Sequence, residues 1–414
     1  MEQKYLYFQP RYVKKFVCDS SKCTNNCCEK GWNIDVDEIT YKKYSQIEPP
    51  SKAREITAPF KYNQGKGKYF LTQRPCPFLT EKKLCRLQLE YGEDFLSLTC
   101  RTYPRVTTDF GQFFERSLTL TCPVAAEMIL FQEKPMEFEL VEVGIHGNKR
   151  ILVNPVHLDE KILAHVPEIQ AAMISILQER TLTIDQRLIV LGFFLDRLEE
   201  ISLAEVFDDA ALINLIAAYE SKKFLAEQVP LMLRSINFDA KKFIGIMIEF
   251  LNNFYGGRKL GADKRFMDAV LDAFGIVTDE NNHAHISKIA ANYERLGDFR
   301  KSFLEKHSTF LENYLINELF MNCYPWRFEG QIIKNYALFI IKYKLFELIL
   351  IATAWENPVG KQELIAFTDW FCSQFDHIEA YQRQIFNYLK GKDDILNLMD
   401  SLLEGDWKSV TPRF

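Results

Sequence analysis

Long uninterrupted apolar runs are missing from this sequence of 414 residues. Its most apolar stretch, "IIKNYALFIIKYKLFELILIATAW" at 332–355, is broken by Lys334, Lys342, Lys344 and Glu347. A charge near a bilayer midplane costs ~2.5–3.5 kcal/mol on insertion scales, so the stretch reads as a buried helix and not as a membrane span. The opening "MEQKYLYFQPRYVKKF" has no apolar core of the kind a secretory leader carries. These features lead to the expectation of a cytoplasmic protein without membrane contact, in a compartment that keeps ordinary thiols reduced. An excess of one charge sign is also missing. The net charge is −5 and the pI about 5.9, so no global basic field collects nucleic acid. Histidine is scarce, and the "HAH" at His283 and His285 reads as a polar loop and not as a metal site. No fixed-period repeat is found. After residue 122 cysteine all but disappears. Cys323 and Cys372 remain, each in aromatic helical surroundings that suit a buried core thiol.

What the chain does have is aromatic mass and a cysteine-dense front. Its 33 Phe, 18 Tyr and 47% apolar residues supply a sizeable core and argue against extensive disorder. Eight of the ten cysteines lie in the first 122 residues: Cys18, Cys23, Cys27, Cys28, Cys76, Cys85, Cys100 and Cys122. Four of them fall within "FVCDSSKCTNNCCEKGW". Core thiols do not gather in polar loops of that kind, and a reducing compartment disfavours disulfides, so metal or cluster ligation is the leading reading. Prolines follow Cys76 and Cys122 and hold the chain stiff beside the thiols.

Zinc and iron both remain open from spacing. A zinc ribbon shows two separated C-x₂₋₄-C knuckles, which this chain does not. The adjacent pair Cys27–Cys28 does not suit one tetrahedral ion, because neighbouring side chains rarely point at a single atom. Irregular and distant thiols suit a [4Fe-4S] cluster, which fills more volume than one ion, with zinc as the alternative. The radical-enzyme spacing C-x₃-C-x₂-C is broken by Lys30.

The pattern C-x₄-C-x₃-C-C-x₂-G-W, then "CPFL", "LC", "TCRTYPR" and "TCP", resembles the flagellin lysine-N-methylase family. More distantly it is similar to Cys-rich zinc- or iron-chelating domains. The resemblance covers residues ~5–130 and continues weakly at "FLENYLINELFMNCYPW" (310–326). It implies an enzyme that methylates surface lysines of flagellin, with S-adenosylmethionine as donor and an iron–sulfur cluster held by these cysteines. All eight carry over as candidate ligands; one cluster needs only four thiolates, so either two sites exist or some of the eight play structural parts.

Conventional methyltransferases hold that donor over a Gly-rich turn after a first strand. "GKGKYF" (65–70) and "VEVGIHGN" (141–148) do not supply one, and the first reads as a hairpin bend. Methylation also needs a neutral amine, so the site must lower the lysine pKa from ~10.4 or take its proton. Tyr103, beside Cys100 in "CRTYPR", is the candidate catalytic residue, with a packed tyrosine bracing the loop as the plainer role. Arg101 and Arg105 flank it as candidates for the donor's carboxylate or for cluster thiolates, against plain surface arginines. Gly31 and Trp32 are expected to close over the cysteine loop.

Fold class follows from periodicity. Residues 1–150 read as a small α+β Cys-rich domain: short helices in 37–47 and 85–100, and hairpins in "PFKYNQGKGKYFLT" and "RVTTDFGQFFERSLTL". Residues 151–414 read as an all-α domain of about ten helices that recognises the protein substrate or walls the site. Thr183 and Gln186 form an expected capping box, followed by an apolar face at Ile184, Leu188, Leu191, Leu195 and Leu198. Acidic residues Asp393, Asp394, Asp400, Glu404 and Asp406 could meet a lysine-rich surface or simply be solvated. Two other functions stand beside methyl transfer: a non-catalytic zinc- or iron-binding module with helices for a partner, and a cluster-based redox sensor.

Overall fold

A computed structural model describes residues 4–18, 23, 27–30, 34–73, 75–144, 160–255, 264–276, 286–328, 331–375, 379–389 and 395–405. Gly31, Trp32, His283, His285, Asp393, Asp394, Asp406 and half of the second glycine-containing stretch, 141–148, lie outside the described residues. The chain forms two compact units, one from Met1–Met128 with Glu137–Leu152, the other from Ile129–Met136 with Val153–Phe414.

The first unit holds two sheets. Strand β1 (Lys4–Pro10) leads into a single helical turn, α1 (Tyr12–Lys15). Strand β2 (Asp35–Val36) precedes α2 (Glu38–Ser45), whose N-cap Asp37 accepts from the Thr40 amide, and α3 (Pro50–Thr57). The hairpin β3 (Phe60–Asn63) and β4 (Lys68–Leu71) forms as its sequence predicts. After α4 (Arg86–Tyr91), a 3-10 turn (Glu93–Phe95) and α5 (Leu98–Thr102) comes the second predicted hairpin, β5 (Arg105–Asp109) with β6 (Phe114–Leu118). Helix α6 (Pro123–Leu130) and β7 (Phe138–Gly144) follow.

The larger sheet has the order β5-β6-β1-β7, with β1 parallel to β6 and antiparallel to β7. Tyr7 is buried against Phe114, ring centroids 5.2 Å apart, and the Arg116 guanidinium also lies over the Tyr7 ring at 4.1 Å. The smaller sheet, β2-β4-β3, packs a separate core of Val36, Tyr44, Ile56, Phe60, Leu71 and Phe78. That core is the floor on which the cysteine loops rest.

The second unit contains fourteen helices among the described residues, from α7 (Glu160–Ala164) to α20 (Ile395–Leu402). The sequence led to about ten. Part of the surplus comes from a short break inside a single apolar face. "LINLIAAYESKKFLAEQV" is two helices, α10 (Asp209–Glu220) and α11 (Lys222–Ser235), because Ser221 turns extended and its hydroxyl accepts from the Phe224 amide. His307 divides α15 (Gly297–Lys306) from α16 (Ser308–Met321). The Thr183–Gln186 capping box opens α9 (Ile184–Leu203) as expected.

Helix α17 (Ile332–Glu356) is the predicted buried helix, and no helix among the described residues is long and apolar enough to cross a membrane. Its charges are satisfied in place: Lys342 pairs with Glu318, and Lys344 with Asp185 and Glu347. Gly192 on α9 allows close approach here, since a Cβ would meet the Tyr336 hydroxyl of α17 at 2.9 Å. Cys323 and Cys372 are fully buried, as their surroundings predict. Of the acidic tail, Glu404 is paired to Arg300 at 2.7 Å and Asp400 accepts from the Asn237 amide at 3.0 Å, so both are engaged within this unit.

Candidate functional site

Six of the eight front cysteines line one cavity of about 350 Å³ in the first unit: Cys18, Cys27, Cys28, Cys76, Cys85 and Cys100. Local bonding explains how segments so far apart in sequence meet. The Cys76 amide donates to the Cys28 carbonyl at 3.1 Å, joining the turn at 27–30 to the loop before α4. That loop folds back on itself through a bridge between Leu79 and Cys85, tightened by Lys83 at φ +59°, and Cys85 becomes the N-cap residue of α4. Cys100 enters on the first turn of α5, where its amide donates to the N-cap hydroxyl of Ser97 at 3.1 Å. Lys30 reaches the Thr121 carbonyl at 2.6 Å and ties the cysteine turn to the segment carrying buried Cys122.

All ten cysteines are thiols. Electrostatics sort the front eight into two neighbourhoods. Cys28 is hydrogen bonded to Cys27 and to Cys76, which raises its own pKa. The bond from Cys28 lowers that of Cys27 despite burial, and Lys30 adds to the effect. Cys85 is raised by burial, and Cys100, although its sulfur opens on the cavity, is pushed up to about 12 by the protein around it. These five sense one another. Cys122, also pushed up to about 12 by burial, senses Cys23 and Cys18 instead. Among the described residues no group of three His, Cys, Asp or Glu side chains is placed to hold a single metal ion.

Tyr103, Arg101 and Arg105 all line the same cavity. Tyr103 caps α5, and its hydroxyl lies 3.3 Å from Thr121 Oγ1. Arg105 donates to the Phe16 carbonyl at 3.2 Å and lies over the Phe16 ring at 5.2 Å, so its guanidinium is held in place. Arg101 lies 3.8 Å from the exposed carboxylate of Asp94. Cys23 and Cys122 are not in the cavity wall.

Several wall residues escaped the sequence reading. Phe60, Phe78, Leu87 and Leu96 make the apolar side; they belong to the core of the small sheet and carry no separate signal. Tyr44 is buried on α2 one turn beyond Thr40, and burial followed by the nearby Cys100 and Cys85 raises its hydroxyl. Glu93 also lines the cavity, directly after Gly92 in "YGED".

Residues 170–403 match the model of the FliB lysine N-methylase C-terminal domain. A lysine-N-methylase of Salmonella typhimurium (strain LT2) is 34% identical over 128 residues, which is 30% of this chain and 32% of that protein. The flagellar biosynthetic protein FliU of Salmonella muenchen is 34% identical over 128 residues, covering 75% of its length and 30% of this chain. A lysine-N-methylase of Salmonella choleraesuis shows the same identity over the same length, again 32% of that protein. The matched stretch thus spans about a third of each methylase. No solved structure matches. With more than half of its residues inside the family model, the chain belongs to the FliB lysine N-methylase family.

Proposed function

We propose that this chain is a protein lysine N-methyltransferase that takes methyl groups from S-adenosylmethionine and places them on flagellin, at the cysteine-lined cavity. The observation that carries the reading is the convergence of six thiols, two arginines and an apolar wall on one cavity, in a member of a lysine N-methylase family.

The donor set suits an iron–sulfur cluster by its chemistry. Thiols that face a common space from separate segments fit a body larger than one ion, and the neighbouring guanidinium groups offset its negative charge. Thiolates drawn from Cys27, Cys28, Cys76, Cys85 and Cys100 would hold it, not all five at once, because a cubane offers four irons. Bound there, such a cluster would supply Lewis-acidic iron for the polar end of S-adenosylmethionine.

The chain's own residues account for the rest. Arg105, fixed by Phe16, and Arg101 offer guanidinium groups to the donor's carboxylate. Phe60, Phe78 and Leu96 exclude water, which disfavours an ammonium and leaves the lysine nitrogen with a lone pair. The amine then attacks the sulfonium methyl carbon. The S–CH₃ bond breaks as the N–CH₃ bond forms, the thioether leaves as S-adenosylhomocysteine, and one amine proton is released. Tyr103, whose hydroxyl is steadied by Thr121, is positioned on the wall to pass that proton on.

The test begins with anaerobic purification, followed by iron and sulfide analysis and absorbance at about 400 nm. Incubation with flagellin and S-adenosylmethionine should then add about 14 Da per methyl group. A colourless zinc protein without methylation would make the chain a structural module. An iron–sulfur protein that leaves flagellin unchanged would make it a redox sensor.

A further inference from the structure

Among the described residues that line the cavity, Glu93 alone carries a carboxylate. The backbone puts it there. Gly92 ends α4 at φ +84°, ψ 176°, and the chain turns through it into the 3-10 turn that starts with Glu93. Glu93 is exposed, at the mouth of the cavity. Its neighbour Asp94 is outside the cavity wall and lies against Arg101. The cations of the cavity wall and of adjoining segments are engaged by other groups: Arg101 lies against Asp94, Arg105 donates to the Phe16 carbonyl, Arg86 and Lys52 pair with Glu55 and Glu90, and Lys43 donates to the Asp94 carbonyl. Among the described residues no lysine or arginine pairs with Glu93.

We propose that Glu93 is the docking carboxylate for the ammonium of the incoming lysine, and that it gives the cavity its preference for a cationic side chain. This rests on the cavity being the site of methyl transfer. The location matters as much as the charge. A carboxylate deep in an apolar cavity would hold the proton on the amine and oppose methylation. One at the water-exposed mouth attracts the cation while it is still hydrated, and the apolar wall beyond then favours the neutral amine. Glu93 is therefore a specificity-determining residue and not the general base.

The experiment compares the metal-loaded wild-type chain with Glu93→Gln, Glu93→Lys and Asp94→Asn, using flagellin as substrate. Glu93→Gln should raise KM for flagellin about two- to five-fold, as expected for an exposed ion pair, with kcat unchanged. Glu93→Lys should raise it further, and Asp94→Asn less than either. Rising ionic strength should raise the wild-type KM and leave that of Glu93→Gln nearly constant. Affinity for S-adenosylmethionine, measured by calorimetry, should be the same in the wild type and both Glu93 variants. A KM for Glu93→Gln equal to wild type, or a parallel loss of S-adenosylmethionine affinity, overturns the assignment of Glu93 while methylation by the wild type still stands. Failure of the wild type to methylate at all removes the site assignment and this one with it.

Discussion

Thr99 donates its hydroxyl hydrogen bond to Asp35 Oδ1, while Lys68 Nζ lies 2.7 Å from Oδ2 of the same carboxylate. Asp35 thereby ties β2 to the helix that presents Cys100, with β4 supplying the cation. Burial raises the Asp35 pKa, but the bonds from Lys68 and Thr99 outweigh it and the net direction is down. A carboxyl lowered in the fold makes the unfolded chain the better proton binder. Its stabilisation is therefore complete above the unfolded value of about 3.9 and is lost as pH falls through the lower folded value. Urea unfolding midpoints should drop over that acid range in the wild type. Asp35→Asn should be less stable near neutrality and show a flatter acid limb.

Gly92→Ala should destabilise the first unit by about 1–3 kcal/mol, because φ +84° with ψ 176° is open essentially to glycine alone. Steric crowding is not the cause, since nothing lies within 4 Å of the Cβ position. Chemical denaturation reads the loss directly. Gly92→Asn should be destabilised to a similar degree, since the tolerance of asparagine for positive φ is confined to the ordinary left-handed region and does not reach this ψ.

Lys344 is buried with Nζ 2.8 Å from both oxygens of Asp185 and 3.0 Å from Glu347. Burial alone would lower its pKa, yet the two carboxylates raise it, so it stays charged. Lys344→Met should cost about 3–5 kcal/mol, since the buried Glu347 and the half-buried Asp185 both lose their cation. Adding Asp185→Asn and Glu347→Gln to Lys344→Met should recover part of that loss, measured by thermal or urea unfolding.

Cys100→Ser and Cys85→Ser should each lower the iron bound per chain after anaerobic reconstitution, whereas Cys372→Ala, in the core of the second unit, should leave it unchanged. Metal and sulfide analysis decides the point without recourse to activity. Equal iron in all three variants would remove Cys85 and Cys100 from the ligand set.

Local signals made part of this legible. The two hairpins, α2, the Thr183–Gln186 box and the long α17 each announce themselves within about twenty residues, through alternation, a capping pair or an apolar face. The pairing of β1 with β7 has no such signal: Tyr7 meets Val141, and nothing near Tyr7 specifies so distant a partner. The break at Ser221 is hidden because the apolar face continues across it. At the site, residue type pointed to the thiols, but their division between the cavity and the Cys122 neighbourhood depends on contacts such as Cys76 N–H to Cys28 O. Glu93 had only a glycine before it to mark it.

Helix α17 touches α9, α12 (Ala240–Tyr255), α13 (Arg265–Phe274), α15, α19 (Glu379–Leu389) and α20, and is enclosed along almost its entire length. An axle of this kind couples its neighbours: none of them can swing away without exposing part of it to water. Slow amide exchange should accordingly extend evenly along residues 336–352, and the C-terminal portion should melt in one sharp step instead of helix by helix.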